Sequence, residues 1–319
     1  MCKNQANIQE HLRVLEQWEA NIDLDEPITD HKEVSAYLQF YQLPCESINH
    51  YFGAIYVDQK KVIMQVFEPL MCKETIILLH GYFDHVGSLT NIIHYLVNKG
   101  YRVVTYDLIG HGLSEGERYA IDHFEQYHEV LKHVVSLCKE HFTDHTYHLL
   151  AHSTGAAIAL HHLNHEDVVY KKVILVAPLV RSNHWYPSVS GFYLLKPFIK
   201  KVSRRFRKNS ANEHYLSFTK VDPLQSKELP LKWLRALVQW NRQIKDAEPN
   251  KEQVVHIIQG TRDKTVDWKY NLSFLQRKFL NTYMYSVYGG QHQLFNEEAG
   301  VRSLTFSFIN QALMVKEKK

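Results

Sequence analysis

The run Leu149-Leu150-Ala151-His152-Ser153-Thr154-Gly155-Ala156-Ala157 sets a serine between an apolar run of strand type and a stretch of small residues that opens a helix. A nucleophilic serine on a sharp strand-to-helix turn has this form, small-x-Ser-x-small, because the turn brings strand and helix too close for large neighbours. Ala151 stands where glycine is usual, a departure of one methyl group. The helix start aims unpaired N–H groups and a positive dipole end at the serine. A serine in this position also serves as an ordinary N-cap, so the run alone does not decide its role.

A serine hydroxyl reacts only when a base takes its proton, and the base needs an orienting carboxylate. On this kind of turn the partners follow in chain order, acid and then histidine, each on a loop after a late strand. Gln259-Gly260-Thr261-Arg262-Asp263 offers Asp263, and Tyr288-Gly289-Gly290-Gln291-His292 offers His292. Asp267 is the rival acid, although it better fits an N-cap for the helix that follows. A developing oxyanion needs two N–H donors. Thr154, directly after the serine, supplies one, and Tyr82 in Leu78-Leu79-His80-Gly81-Tyr82 the other, with Gly81 allowing close approach.

The elements that must hold these residues are legible as periodicity. A hairpin at 51–57 and 62–67 is followed by short apolar runs at 75–79, 102–106, 147–150, 173–176, 254–258 and 283–287. These read as buried strands, and amphipathic helices at 88–98, 120–141, 154–164, 267–278 and 297–314 separate them. Strands of this kind form a mostly parallel sheet covered on both faces, with ligands beyond its carboxyl ends. Residues 1–45 read as a helical extension packed on the domain, with Ile8, Leu12, Val14, Leu15 and Trp18 at helical spacing and a second segment from Val34 to Phe40.

The alternation breaks once. Residues 181–245 hold fourteen Lys and Arg against three Asp and Glu, together with ten aromatics, and read as an inserted, largely helical cap. The expected organisation is therefore an extension at 1–45, a core at 46–180 and 246–319, and a basic, aromatic-rich cap at 181–245. Over 319 residues the net charge is only +3 and 45% are hydrophobic, which excludes wholesale disorder and low-complexity chains. No apolar run approaches the roughly 18–20 residues of a spanning helix. The start of the chain lacks a secretory pattern, and four scattered cysteines give neither a disulfide framework nor metal spacing. A reducing cytoplasm is the expected compartment, with peripheral contact at the cytoplasmic membrane. Eight of only thirteen glycines (81, 110, 112, 116, 155, 260, 289 and 290) fall inside the motifs discussed here.

Asp107-Leu108-Ile109-Gly110-His111-Gly112-Leu113-Ser114-Glu115-Gly116 resembles the Asp-x-x-Gly-His-Gly-x-Ser-x-Gly stretch of monoacylglycerol lipases and bacterial lysophospholipases of the α/β-hydrolase superfamily. His-Gly-x-x-x-His at 80–85, His-Ser-x-Gly at 152–155, Gly-x-x-Asp at 260–263 and His292 match that family in the same order. The likeness covers roughly residues 50–312 and is weakest in the cap; the overall layout is most similar to the lysophospholipase L2 type. It implies an α/β-hydrolase fold with an eight-stranded, mostly parallel sheet, ester hydrolysis on lipid-like substrates, no metal or other cofactor, and a cap that forms the acyl pocket. Residues 107–118, His111 among them, are then scaffold around the site.

The expected activity is a serine hydrolase cleaving a fatty-acyl ester of a lysophospholipid or monoacylglycerol through an acyl-enzyme, with Ser153, Asp263 and His292 catalytic. The basic cap favours the lysophospholipid. Transacylation of the same lipids, or a non-catalytic membrane- or partner-binding protein, are the alternatives. His161 and His165 form an i, i+4 pair that could hold a metal, but no further ligand is evident and the far end of that helix is expected to be solvated. The basic run from Lys200 to Lys208 fits attraction to anionic lipid better than nucleic acid.

Overall fold

A computed structural model describes residues 2–142, 146–166, 170–204 and 208–315, with side chains from residue 8 onward. Arg205, Phe206 and Arg207 of the basic run lie outside the described residues. The N-terminal extension forms α1 (Cys2–Glu16) and α2 (Lys32–Tyr41). The hairpin is β1 (Ile48–Val57) and β2 (Lys60–Pro69), paired antiparallel around Asp58 and Gln59. Then come β3 (Glu74–Leu79), α3 (Thr90–Asn98), β4 (Tyr101–Tyr106), α4 (Glu125–His141), β5 (Tyr147–His152), α5 (Thr154–Leu163) and β6 (Lys172–Val176). The cap holds α6 (Trp185–Leu195), β7 (Lys201–Ser203), α7 (Glu213–Val221), β8 (Glu228–Pro230) and α8 (Leu231–Asp246). The chain returns through β9 (Asn250–Gly260), α9 (Trp268–Lys278), β10 (Phe279–Val287) and α10 (Ala299–Met314).

Eight strands make one sheet in the order β1-β2-β4-β3-β5-β6-β9-β10. β1, β2 and β4 pair antiparallel and every later pair is parallel, so this is the mostly parallel α/β-hydrolase sheet. β3, β5 and β6 are buried on both faces because helices cover both. One cluster sets Leu131, Val134, Leu160 and Trp240 against the sheet residues Ile77, Leu149 and Ile257. On the opposite face Leu12, Tyr37, Leu96 and Ile309 meet Ile76, Leu150 and Ile174. The extension thus packs as part of the second layer.

Three expectations are corrected. The 283–287 run is not buried on both faces: β10 is the sheet edge, and Tyr283 and Met284 are exposed. The far end of the helix after Ser153 is not solvated: every residue of α5 is buried, because α4 lies across it. The helix expected from 120 starts only at Glu125. Among the described residues of 181–245, three helices and the short β7–β8 pair are joined by irregular segments. Of these, α8 carries a strong apolar stripe, Trp233, Leu237, Trp240 and Ile244, at helical spacing.

Candidate active site

β5 is buried along its whole length and ends at His152, and Ser153 then turns the chain into α5 at φ +53° and ψ −111°. That conformation lies outside the ordinary basins of a non-glycine residue and stores of order 1–3 kcal/mol of strain. The surroundings hold it: Ser153 N–H donates to Val176 O at 3.0 Å, and Ser153 O accepts from Leu179 N–H at 3.1 Å. The small neighbour is a packing requirement. A Cβ on Gly155 would stand 2.7 Å from both the His80 carbonyl oxygen and the Leu79 side chain.

The turn after β9 carries Asp263, and the loop after β10 carries His292. The two loops meet so closely that a Cβ on Gly260 would lie 2.4 Å from the Gly290 carbonyl oxygen. His292 Nδ1 is 2.8 Å from Asp263 Oδ2, and His292 Nε2 is 2.9 Å from Ser153 Oγ. All three residues are buried. Asp263 Oδ1 accepts from the N–H groups of Thr265 and Val266, and Oδ2 also accepts from Gln259 Nε2. Burial opposes the charge on Asp263, but His292 and these donors hold its pKa below the ordinary carboxylate value. Burial likewise opposes a charged His292, and the Asp263 carboxylate overrides it, raising the imidazole pKa above its usual value. The carboxylate therefore fixes the proton on Nδ1 and leaves Nε2 to accept from the serine hydroxyl. Asp267, the rival acid, accepts from Tyr270 N–H and caps α9.

The loop after β3 sits against the serine. A Cβ on Gly81 would approach Ser153 Cβ at 3.1 Å, and Tyr82 follows directly. Thr154 is the first residue of α5, where N–H groups lack intrahelical acceptors. The Tyr82 ring stacks on Trp233 of α8 at 3.8 Å between centroids, and its hydroxyl donates to Tyr119 O. α8 thus rests directly on the loop that borders Ser153.

The 107–118 stretch is a brace. Asp107 accepts from Val86 N–H and Leu113 N–H, one on each oxygen. Gly112 lies at φ +50° with its α-carbon against that carboxylate, so a side chain there would collide with it. His80 Nε2 accepts from Leu108 N–H and its Nδ1 donates to Gly81 O, tying the brace to the loop before Tyr82. His111 is fully buried behind Tyr82 and Tyr119.

Three residues near the site escaped sequence reasoning. His152 Nε2 donates to the backbone carbonyl of His292 at 3.0 Å, and its Nδ1 is 3.5 Å from Asp84 Oδ2. Gln293 Nε2 donates to both oxygens of Asp84. Burial opposes ionisation of Asp84, but His152 and Gln293 hold its pKa well below the usual value. This trio fixes the backbone at His292. The only available signal was that His152 and Asp84 stand inside the motifs quoted for their neighbours.

Residues 71–299 match the protein family described as serine aminopeptidase, S33. A monoglyceride lipase homolog of Monkeypox virus is 24% identical over 255 residues, covering 77% of this chain and 91% of that protein. The monoglyceride lipase of Mus musculus is 33% identical over 143 residues, 44% of this chain and 46% of that protein. A probable lysophospholipase L2 of Haemophilus influenzae is 22% identical over 295 residues, 83% and 93% of the two chains. Among solved structures, a soluble variant of monoglyceride lipase from Saccharomyces cerevisiae, in complex with a substrate analog, superposes with a TM-score of 0.72 at 18% identity, covering 82% of this chain and 94% of that one. At that identity the likeness is one of fold.

Proposed function

We propose that this chain, which belongs to the serine aminopeptidase S33 family of α/β-hydrolases, cleaves fatty-acyl esters of lysophospholipids or monoacylglycerols at Ser153 through an acyl-enzyme. At the coarser level the family and relatives make it a carboxylic ester hydrolase of lipid type. The observation that carries the finer reading is the unbroken chain Asp263 Oδ2···Nδ1 His292 Nε2···Oγ Ser153, at 2.8 and 2.9 Å. His292 takes the hydroxyl proton as Ser153 Oγ attacks the acyl carbonyl, and the N–H groups of Tyr82 and Thr154 receive the oxyanion. The leaving alcohol takes the proton from His292. Water, deprotonated by the same base, then releases the fatty acid.

Two observations support substrate class and place of action. Arg204 of the cap stacks on Phe83, one residue beyond Tyr82, with 3.9 Å from guanidinium carbon to ring centroid. It brings a positive charge beside the candidate oxyanion loop, which favours a phosphate-bearing lysophospholipid over a neutral glyceride. The segment from Tyr186 to Ile199 exposes Tyr186, Leu194, Leu195 and Phe198 next to Lys196, Lys200 and Lys201. Apolar side chains ringed by lysines suit an anionic membrane surface. Among the described residues no helix is long and apolar enough to cross a membrane. We read the protein as acting from the cytoplasm as a peripheral visitor.

Hydrolysis of a lipid panel, together with fluorophosphonate labelling, tests the reading. Ser153→Ala removes labelling and lowers turnover by about 10⁴–10⁶ while the far-ultraviolet circular dichroism stays unchanged. Near-normal ester hydrolysis by a folded Ser153→Ala protein ends the assignment. Acyl transfer to added glycerol in preference to water would make the enzyme a transacylase.

A further inference from the structure

The structure assigns a second site, away from Ser153, where Glu125, His128 and His161, with His165 at the rim, bind one divalent transition-metal ion of the zinc class. Glu125 and His128 stand at i and i+3 on α4, and His161 and His165 at i and i+4 on α5. Helices bring such pairs onto one face each, and here the two faces meet. Glu125 Oε1 is 3.0 Å from His128 Nδ1, and Oε2 is 2.8 Å from His161 Nε2. The ring centroids of His161 and His165 are 4.1 Å apart, and those of His128 and His165 are 5.7 Å apart. An ion held at about 2.0–2.1 Å needs ligand atoms roughly 3.3 Å apart in a tetrahedron, and one ligand atom from each of Glu125, His128 and His161 already lies within 4.8 Å of the other two.

The outer partners fit as well as the ligands do. A metal-bound histidine usually offers its other ring N–H to a carboxylate or a carbonyl. His165 Nδ1 donates to the His161 backbone carbonyl at 2.8 Å, which leaves Nε2 as its ligand atom. His128 Nε2 is buried with no hydrogen-bond partner among the described residues, and Glu166 Oε1 stands 3.6 Å away. With the ion on Nδ1, the proton sits on Nε2 and points to Glu166. Imidazole and carboxylate together select zinc, copper or nickel over magnesium or calcium. Glu125 is exposed, so the site opens to solvent, while His128 and His161 are buried. His161 is eight residues after Ser153, about 12 Å along the helix axis. The ion therefore clamps α4 to α5 and touches no reacting atom.

The test is calorimetric titration of metal-stripped, untagged full-length protein with Zn²⁺, accompanied by thermal melting. One equivalent binds and the melting temperature rises. Glu125→Gln, which keeps the size of the side chain and one oxygen toward the two imidazoles, weakens binding more than tenfold, and Glu166→Gln by about 10–100-fold. His292→Ala leaves binding unchanged. The assignment is overturned if the wild-type chain binds no Zn²⁺. It is equally overturned if Glu125→Gln and His161→Gln, both shown to be folded, bind as wild type does, because the ion then resides on others of the twenty-one histidines.

Discussion

In the proposed mechanism rate and pH both turn on His292, since only its neutral form accepts the Ser153 proton. Burial alone would push its pKa below the ordinary 6.5, and the adjacent Asp263 carboxylate reverses that. The activity of kcat/KM therefore rises with pH through a value above 6.5, and that limb reports the free enzyme's base. Asp263→Asn removes the cause that raises the pKa and leaves the one that lowers it, so the limb moves to lower pH. The same change lets the imidazole take the wrong tautomer and lowers kcat by about 10⁴. Steady-state kinetics between pH 5 and 9 on a soluble p-nitrophenyl ester read both effects. A limb that stays in place in Asp263→Asn assigns the carboxylate's role elsewhere. Ser153, Asp263 and His292 were legible as candidates because each stands at a strand end near glycines that allow close loop contacts. Sequence reasoning did not reach Asp84, His152 and Gln293, whose partners are up to 209 positions away and carry no spacing signal.

Elements explain both what periodicity revealed and where it misled. Buried strands such as β3, β5 and β6 announce themselves as apolar runs, whereas β10 is an edge strand whose outward residues include Tyr283 and Met284, so hydropathy overstated its burial. The polar character of α4 and the histidines of α5 concealed that the two helices bury one face together. The cap shows the reverse case. α8 hides its tryptophans, Trp240 stacked on Phe124 at 4.9 Å and Trp233 on Tyr82. α6 buries only Trp185 and Phe192. The exposed apolar surface of α6 and the segment after it is what the proposed membrane contact would use. Replacing Lys196, Lys200 and Lys201 by glutamine removes about 1 kcal/mol each near an anionic leaflet, or roughly 100-fold in binding. Sedimentation with phosphatidylglycerol-containing vesicles measures that loss, and hydrolysis of a soluble ester stays at the wild-type level. Equal vesicle binding by the triple variant would remove the electrostatic argument for this face.

At the scale of the molecule, three parts that are far apart in sequence share one buried junction. Asp222 of the cap accepts from the hydroxyl of Tyr41 on α2 at 2.7 Å, and its other oxygen is 2.8 Å from His85 Nε2. His85 closes the loop that carries Gly81 and Tyr82, so extension, core and cap meet on a single carboxylate. Neither His85 nor Asp222 is accessible to solvent beyond a trace, so solvent screens the pair little. Burial works against a charged His85, but Asp222 prevails and raises its pKa. A histidine whose folded pKa is raised contributes stability that is complete below the unfolded value near 6.5 and fades as pH rises through the folded value. Breaking such a buried pair costs of order 3 kcal/mol. Urea denaturation of wild type and Asp222→Asn therefore shows a gap of about that size at pH 6 and a smaller one at pH 9. A gap that is flat across this range would mean that His85 is already neutral at pH 6 and that hydrogen bonds, not charge, join the cap to the core.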